Sequence, residues 1–509
     1  MNRDCDVVVI GCGPVGALAA NLLGRAGLTV VVLEKELDHY PLPRAVHLDH
    51  EMMRLFQTAG VIDRVQHDMV ATDGHLHVGA DHGVIRYMGT VGKPKPFGWS
   101  NDYFFYQPEL EGHLRAAFTD SGAIALLRGA TFTGLEQDDD AVTVCFHLDG
   151  ADQTVAARWV IAADGARSPV RKALGIALDD LDFEEPWLVV DAEVEGPVTF
   201  PALSGVPAGA DLQRLSVMMC DPARPATVVP GRGNHRRWEF MLLPGEDDQI
   251  MMRPDKVGEL VEAWMKDVPH TIVRAATYRF HGLVAEQWQA GNVFLAGDAA
   301  HQTPPFFGQG MCHGLRDVAN LAWKMAAIVK DGADPAILST YQPERDPHVR
   351  GVIGAAVAAG RYICELDPAK AAERDTAIRA AASQKAGETA HDLIPAIRAG
   401  LVLHDTPGAG VRFIQPILGD GRKLDDRTGQ GWRLFVRDDS VAGSSPSVTR
   451  VTAGALDDGG AVVRWLDDHG VDAVLVRPDH YVFGTAGGSA AALLAASRRA
   501  LGLDLETVA

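Results

Sequence analysis

The chain begins with a strand, a glycine-rich turn and a helix, an order that requires an α/β fold. Residues 7–10 form an apolar run, as expected for a parallel strand buried on both faces. Gly11, Gly13 and Gly16 then fit the pattern G-x-G-x-x-G. The first glycine permits a tight turn, the second lets the backbone approach a pyrophosphate, and the third lets the helix pack on the strand. A second strand ends at Glu34, near the offset at which an acid binds a ribose hydroxyl. The segment predicts a Rossmann-like nucleotide-binding unit.

The helix after this turn offers a phosphate site, and the second strand limits the choice of nucleotide. Pro14 and Val15 lie at the helix N-terminus, where free N–H groups and the helix dipole attract phosphate. Lys35 follows Glu34, and an acid at this point disfavours a 2′-phosphate. We therefore expect FAD or NAD rather than NADP, with these four residues in the site. A glycine turn that binds no nucleotide is the alternative interpretation.

Composition narrows the class of protein further. The 509 residues exceed a single hydrophobic core and predict several domains. The net charge of −20 argues against nucleic acid or an anionic membrane as a partner. The six cysteines are scattered without a C-x-x-C pair, which predicts a reducing compartment, no structural zinc and no bound metal. We recognise no signal peptide and no apolar run of about 18 residues, so the expected location is the cytoplasm.

The pattern of strands and helices divides the chain into four segments. Residues 1–180 continue the nucleotide-binding unit, with a β excursion near residues 70–100, and residues 281–400 complete it with a helical segment. Residues 181–280 show strands separated by Pro, Gly and Asp turns, which predict a mainly antiparallel β domain. Residues 401–509 alternate strand-like and helix-like segments, which predict a small α/β domain, and this segment contains no cysteine.

Two later strand ends carry acids beside small residues. One predicted strand ends at Asp164, and another ends at Asp298. The second acid is followed by PPFFGQG and by a long helix that begins near Gly310 and Met311. An acid at a strand end can accept hydrogen bonds from polyol hydroxyls, and a helix N-terminus can stabilise negative charge on a nearby ring.

Taken together in this order, the glycine turn and the two later segments resemble the single-component FAD-dependent aromatic hydroxylases. The resemblance is closest to the 3-(3-hydroxyphenyl)propionate hydroxylase group, and it extends to residues 220–231, 235–246, 413–416 and 474–482. It implies a Rossmann-like FAD-binding domain with an inserted antiparallel β substrate domain and a thioredoxin-like C-terminal domain. It also implies bound FAD, transient NADH or NADPH, and hydroxylation of a phenolic substrate with O2 through a C4a-hydroperoxyflavin. The resemblance also allows the protein to form a homodimer.

The resemblance also assigns roles to individual residues. Arg44 would contact the pyrophosphate and the flavin edge, and Gln107 and Asp298 would contact the ribityl chain. Asp164 would lie near the pyrophosphate and the nicotinamide. The backbone of Gly310 and Met311 would face the flavin ring. The alternatives are an exposed loop cation for Arg44, a helix cap for Gln107 and a structural turn at Asp164.

The catalytic residues and the substrate stay open at this point. Arg44, His47 and His235 are the candidates for a catalytic role, and His301 is a further candidate for the base. The apolar run at residues 304–307 suits the wall of a water-free pocket. The alternative functions are another FAD-dependent oxidoreductase and a tailoring hydroxylase for a larger polycyclic phenol. A flavin-dependent halogenase would need a W-x-W-x-I-P stretch, which the sequence lacks.

Overall fold

A computed structural model describes residues 3–38, 40–384 and 394–503, without the side chains of residues 382–384. The described residues form four β-sheets. The helices are α1 (Pro14–Arg25), α2 (His50–Thr58), α3 (Ile62–Val65), α4 (Gln107–Ala116), α5 (Phe118–Ser121), α6 (Pro169–Ala173), α7 (Asp248–Met251), α8 (Pro254–Met265), α9 (Gly310–Ala326), α10 (Tyr341–Ile363), α11 (Pro368–Gln384), α12 (Leu424–Thr428), α13 (Ala461–His469) and α14 (Ala491–Ala500). None of these helices is long and apolar enough to cross a membrane.

The first sheet is the predicted nucleotide-binding sheet. Its strands are β1 (Cys5–Ile10), β2 (Val30–Glu34), β8 (Ile124–Arg128), β9 (Thr131–Gln137), β10 (Val142–Leu148), β11 (Ala151–Ala162), β17 (Gln289–Ala290) and β18 (Val293–Leu295). Strand β1 lies between β2 and β11 and is parallel to both. Helix α1 packs beside α9, and both cover this sheet in the largest core of the molecule. The carboxyl ends of β1, β11 and β18 therefore meet at one edge, as ligand sites in such sheets require.

The second sheet carries the other wall of the site. Its strands are β5 (Gly74–Val78), β6 (Val84–Gly89), β12 (Leu178–Val194), β13 (Leu215–Met219), β14 (Ala226–Pro230), β15 (His235–Met241), β16 (His270–Ala285) and β19 (His301–Gln302). Most pairs are antiparallel. One face packs on α8 through residues such as Leu188 and Val190. Because strand side chains alternate, Val189 and Asp191 face the opposite way.

Two small sheets complete the structure. The third contains β3 (His47–Asp49), β4 (Val70–Ala71) and β7 (Asp102–Phe104), and the fourth contains β20 (Arg433–Val436), β21 (Thr449–Thr452), β22 (Ala473–Val476) and β23 (Val482–Ala486). Short 3₁₀ turns cover Gln66–Asp68, Gly297–Ala299, Pro305–Phe307, Pro335–Thr340 and Ala453–Ala455, and a π turn covers Ala327–Asp331. The fourth sheet, with α13 and α14, forms the small C-terminal α/β layer.

The expected fold class is confirmed: a parallel nucleotide-binding sheet, a mainly antiparallel second sheet and a C-terminal α/β layer are all present. Of the strands in the β excursion near residues 70–100, β5 and β6 join the second sheet, where β5 pairs with β13, and β4 joins the third. Strand β12 spans the boundary placed at residue 180, and β19 returns to the second sheet after β18. The division of the chain into four segments stays a prediction.

Candidate active site

A cavity of about 400 Å³ lies between the carboxyl edge of the first sheet and the inner face of the second. It is bordered by the β1–α1 turn, by residues 44–47, by residues 303–311 and by one face of the second sheet. The residues that line the cavity include Gly13, Pro14, Val15, Arg44, His47, His75, Gln107, Gly165, Val189, Thr227, Arg237, Glu239, Arg274, Tyr278, Phe280, Asp298, Pro305, Phe306, Gly310 and Met311.

The three glycines of the first turn have three different environments. At Gly11, where φ is +94°, a Cβ atom would overlap the Ala163 carbonyl oxygen, and at Gly16 it would overlap the Gly11 carbonyl oxygen. At Gly13 a Cβ atom would meet nothing within 4 Å, and this glycine lines the cavity. The first and third glycines are therefore required by packing, whereas the second leaves an open space beside the backbone, as a pyrophosphate needs.

Glu34 lies buried beneath this turn. Its Oε2 atom accepts a hydrogen bond from the Cys12 N–H at 2.8 Å, and its Oε1 atom accepts one from the Glu36 N–H at 2.9 Å. Arg115 donates to the Cys12 carbonyl at 2.6 Å and so holds the turn from the other side. Each Glu34 oxygen keeps a second lone pair, so the carboxylate can shape the turn and still accept from a ribose hydroxyl.

The loop that carries Arg44 is clamped at its backbone. The Gln107 Oε1 atom accepts hydrogen bonds from the Arg44 N–H at 3.1 Å and from the Ala45 N–H at 2.7 Å. On the other side of the loop, Arg237 donates to the Arg44 carbonyl at 2.5 Å and to the Pro43 carbonyl at 2.8 Å. The Arg44 side chain itself is exposed at the cavity mouth, with its guanidinium 4.5 Å from the Tyr40 ring centroid. The two clamps leave this side chain available to a ligand.

Asp191, on the second sheet, orients Arg237, one of the two residues that hold the Arg44 loop. It accepts hydrogen bonds from Arg237 at 2.8 Å and from His235 Nε2 at 3.0 Å, and Arg274 lies 3.7 Å away. Burial works to raise the pKa of Asp191, but the donors on His235 and Arg237 outweigh it and hold the pKa below its ordinary value. His235 therefore lies behind the cavity wall and orients Asp191. The neighbouring Arg236 points to the other face of the sheet, into a separate shallow groove.

The two acids predicted at strand ends occupy different positions. The Asp298 side chain is exposed and lines the cavity. Desolvation by the surrounding protein raises its pKa, while His301 and Arg44 act in the opposite direction. Asp164 lies beneath the neighbouring turn, where it accepts a hydrogen bond from the Val170 N–H at 3.1 Å, and burial raises its pKa as well. Gly165, rather than Asp164, lines the cavity.

Helix α9 directs its N-terminus at the cavity. Gly310 and Met311 line it, and within the described chain no side chain caps the helix at Gln309. The first N–H groups of the helix are thus open to an electron-rich group in the cavity. His301 lies fully buried beside the cavity without lining it, and its Nε2 atom is 2.7 Å from the Asp317 carboxylate.

His47 borders the cavity as part of a buried group. Its Nε2 atom is 2.9 Å from Asp102, and its Nδ1 atom is 3.4 Å from the Gly308 carbonyl. Burial lowers the pKa of His47, but the Asp102 carboxylate outweighs burial and raises the pKa overall. His75 lies close by, with ring centroids 5.4 Å apart. We assign no metal to these residues, because the direct hydrogen bond already uses the His47 nitrogen and the Asp102 oxygen that would bind an ion.

The second sheet supplies site residues that the sequence analysis missed. Arg237, Glu239, Arg274 and Tyr278 share one face of this sheet, and no sequence motif marks them as site residues. Backbone pairing of Glu239 with Val189 and of Arg274 with Asp191 puts them on this wall. The alternation of side chains along β15 was the available signal, since Glu239 lies two residues after Arg237.

Apolar rings form the rest of the wall, as the run at residues 304–307 predicted. Pro305 and Phe306 line the cavity, and Phe306 packs against Trp187 with ring centroids 6.0 Å apart and against Phe280 at 6.3 Å. Trp187 is fully buried behind them. This cluster keeps water away from one side of the cavity.

Residues 4–356 match the model of a family described as "FAD binding domain". A 3-(3-hydroxy-phenyl)propionate/3-hydroxycinnamic acid hydroxylase of Burkholderia vietnamiensis is 35% identical over 94% of this chain and 93% of its own length. A probable NADH-specific resorcinol 4-hydroxylase of Rhodococcus jostii is 34% identical over 94% of this chain and 92% of its own length.

Solved structures share the fold over the whole chain. A crystal structure of the flavin-dependent monooxygenase PieE with FAD and substrate has a TM-score of 0.80 at 23% identity and covers 99% of this chain and 100% of its own. Aklavinone-11 hydroxylase with FAD and aklavinone has a TM-score of 0.78 at 24% identity, with the same coverage. At these identities the likeness shows the fold alone.

Proposed function

This chain belongs to the FAD-dependent aromatic hydroxylases, and we propose that it hydroxylates a single-ring phenol in the cavity between its two large sheets. The observation that carries the proposal is the position of the cavity. At one end of the cavity lie Gly13 and the N-terminus of α9, where the cofactor would bind. At the other end lies the second sheet, whose wall contains both apolar rings and charged groups.

The residues at the cofactor end fit FAD. The open space beside Gly13 and the start of α1 would accept the pyrophosphate of FAD. Glu34 would accept a hydrogen bond from the ribose, and Asp298 would accept hydrogen bonds from the ribityl hydroxyls. When bound, FAD supplies two-electron transfer from NAD(P)H and activation of oxygen. The open N–H groups at Gly310 and Met311 would stabilise negative charge on the ring system of the cofactor.

The chain itself has to bind the ring and exclude water. Pro305, Phe306 and Phe280 form the apolar side of the wall, which would keep water away from the bound ring and the reacting edge of the cofactor. Arg44 and His47 lie on the cavity wall and are kept as proposed contacts to cofactor or substrate. His235 is proposed as a positioning residue, because it reaches the cavity only through Asp191 and Arg237.

The names of the relatives support the proposed substrate class. The names of the two curated relatives describe action on 3-(3-hydroxyphenyl)propionate or 3-hydroxycinnamate and on resorcinol, all of them hydroxylated single rings. We propose NADH as the reductant, since one relative is named NADH-specific, and O2 as the oxidant. All six cysteines are free, which supports our proposal of a cytoplasmic location.

The test is the stimulation of NADH oxidation by a phenol. The FAD-loaded protein should oxidise NADH slowly alone and much faster with 3-(3-hydroxyphenyl)propionate or resorcinol, with a hydroxylated product formed in nearly equal amount. A protein that retains FAD but shows no stimulation and no product with either phenol would contradict the proposal.

A further inference from the structure

Two rows of side chains cross the face of the second sheet that forms the cavity wall. In one row, backbone pairing places Glu239 between Thr227 and Val189. In the next row, Arg237 pairs with Asp191 in the same way. Each row carries one carboxyl group on this face, and only that of Glu239 lines the cavity.

The two carboxyl groups differ in their partners. Asp191 accepts hydrogen bonds from Arg237 and His235 and is fully buried. Glu239 is half-buried and lines the cavity, and no donor among the described residues lies within hydrogen-bonding distance of its carboxyl oxygens. Arg237, two residues away on the same face, uses its donors on Asp191 and on the backbone of the Arg44 loop.

An unpaired acceptor in this position is costly for the protein alone. A carboxylate withdrawn from water loses hydration, and without a donor that loss is not compensated. The pKa of Glu239 shows the effect: burial raises it to about 6, against the influence of Arg237 and with a contribution from Asp191. A ligand that brings a hydroxyl donor to this oxygen would recover the lost stabilisation.

Two cations on the same face, Arg237 and Arg274, already donate most of their hydrogen bonds within the protein. Arg274 donates to the Pro43 carbonyl and to the Tyr278 hydroxyl, as Arg237 does to the Arg44 loop. Because these guanidinium groups are largely occupied by the protein, this wall presents an acceptor to the cavity more than a donor. A phenol hydroxyl is the matching donor.

We propose that Glu239 is the residue that recognises the ring hydroxyl of the substrate, by accepting its hydrogen bond. The inference rests on the proposed function and names one contact within it. A carboxylate acceptor orients the ring and draws negative charge towards the phenolic oxygen, which raises electron density at the ring carbons beside and opposite that oxygen. Those are the positions where an electrophilic oxygen attacks.

The first test compares Glu239→Gln with the wild type by the change in flavin absorbance when a ligand binds. The ligands are 3-(3-hydroxyphenyl)propionate and resorcinol. Each is compared with the analogue in which every phenolic hydroxyl is methylated and the carboxylate, where present, is kept, so that no phenolic donor remains. We expect the substitution to weaken binding of the phenols by roughly 10- to 100-fold and to leave binding of the ethers unchanged. The same variant should release more H2O2 per NADH consumed.

The control is Glu193→Gln, which removes an exposed carboxylate from β12 of the same sheet and should change neither binding nor coupling. The FAD content and thermal midpoint of Glu239→Gln should match or exceed those of the wild type, because a half-buried carboxylate without a hydrogen-bond donor is replaced by a neutral amide. Equal weakening of phenols and ethers would overturn the assignment, as would unchanged binding of both. Failure of the wild type to bind any phenol would overturn the proposed function together with it.

The second test is the pH dependence of resorcinol binding, since resorcinol is uncharged from pH 5 to pH 8. The carboxylate form of Glu239 accepts the hydrogen bond, so wild-type affinity should fall as the pH drops through about 6, and Glu239→Gln should show a flat profile. The other charged or titratable groups on the cavity wall and beside it are Arg44, His47, His75, Asp191, Arg237, Arg274, Tyr278 and Asp298. An identical pH profile in the variant would assign the titration to one of them and contradict the proposal.

Discussion

The glycines of the first turn illustrate how single residues divide between fold and function. Gly13 has φ −70° and open space where a Cβ atom would lie, so Gly13→Ala should fold normally. The added methyl group would occupy the space proposed for the pyrophosphate, and we expect FAD affinity to fall by roughly 100-fold, or about 2.7 kcal/mol. Gly16→Ala is the contrast, because its Cβ would overlap the Gly11 carbonyl and cost about 1–3 kcal/mol of stability. Flavin fluorescence on FAD titration and thermal midpoints measure both effects. Full FAD affinity in Gly13→Ala would exclude the turn from the cofactor site.

Helix α9 shows how far sequence patterns predict an element. Its start, its length and its apolar stripe follow from the periodicity after PPFFGQG, and its N-terminus lies at the cavity as the resemblance implied. The stripe predicts a polar opposite face, yet Arg316, Asp317 and Lys324 are also buried. Their partners, among them Asp49 and Glu344, are distant in sequence, and periodicity within one helix carries no information about such pairs. The same limit applies to the second sheet. Alternation along β15 indicates which residues share a face, but only the assembled sheets show which face meets the cofactor.

At the scale of the whole molecule, buried ion pairs attach the C-terminal α/β layer to the rest. Asp425 binds Arg54 at 2.6 Å, and Arg477 binds Glu344 at 2.7 Å. Removing one partner of such a pair leaves a buried charge, so Asp425→Asn should lower the free energy of unfolding by about 3–5 kcal/mol. The exposed control Asp420→Asn should leave the thermal midpoint unchanged.

The same pairs predict an acid limit to stability. Arg477 and Lys324 outweigh burial and lower the pKa of Glu344 from 4.5 to about 2. A lowered pKa in the folded state contributes stability above the unfolded value, and that stability is lost as the pH falls from about 5 towards 2. Thermal midpoints measured across this range would check it. If wild type and Asp425→Asn were equally stable, the ion pair between Asp425 and Arg54 would not contribute to holding the C-terminal layer in place.

The central claim is that the cavity holds a phenol while one atom of O2 is transferred to its ring. The most direct measurement is mass spectrometry of the product formed from NADH, isotope-labelled O2 and the phenol that most stimulates NADH oxidation. We predict one labelled oxygen atom per product molecule, on a ring carbon beside or opposite the original hydroxyl, in an amount close to the NADH consumed. A product without label, or NADH consumption that yields only H2O2 with every phenol that binds, would contradict the account.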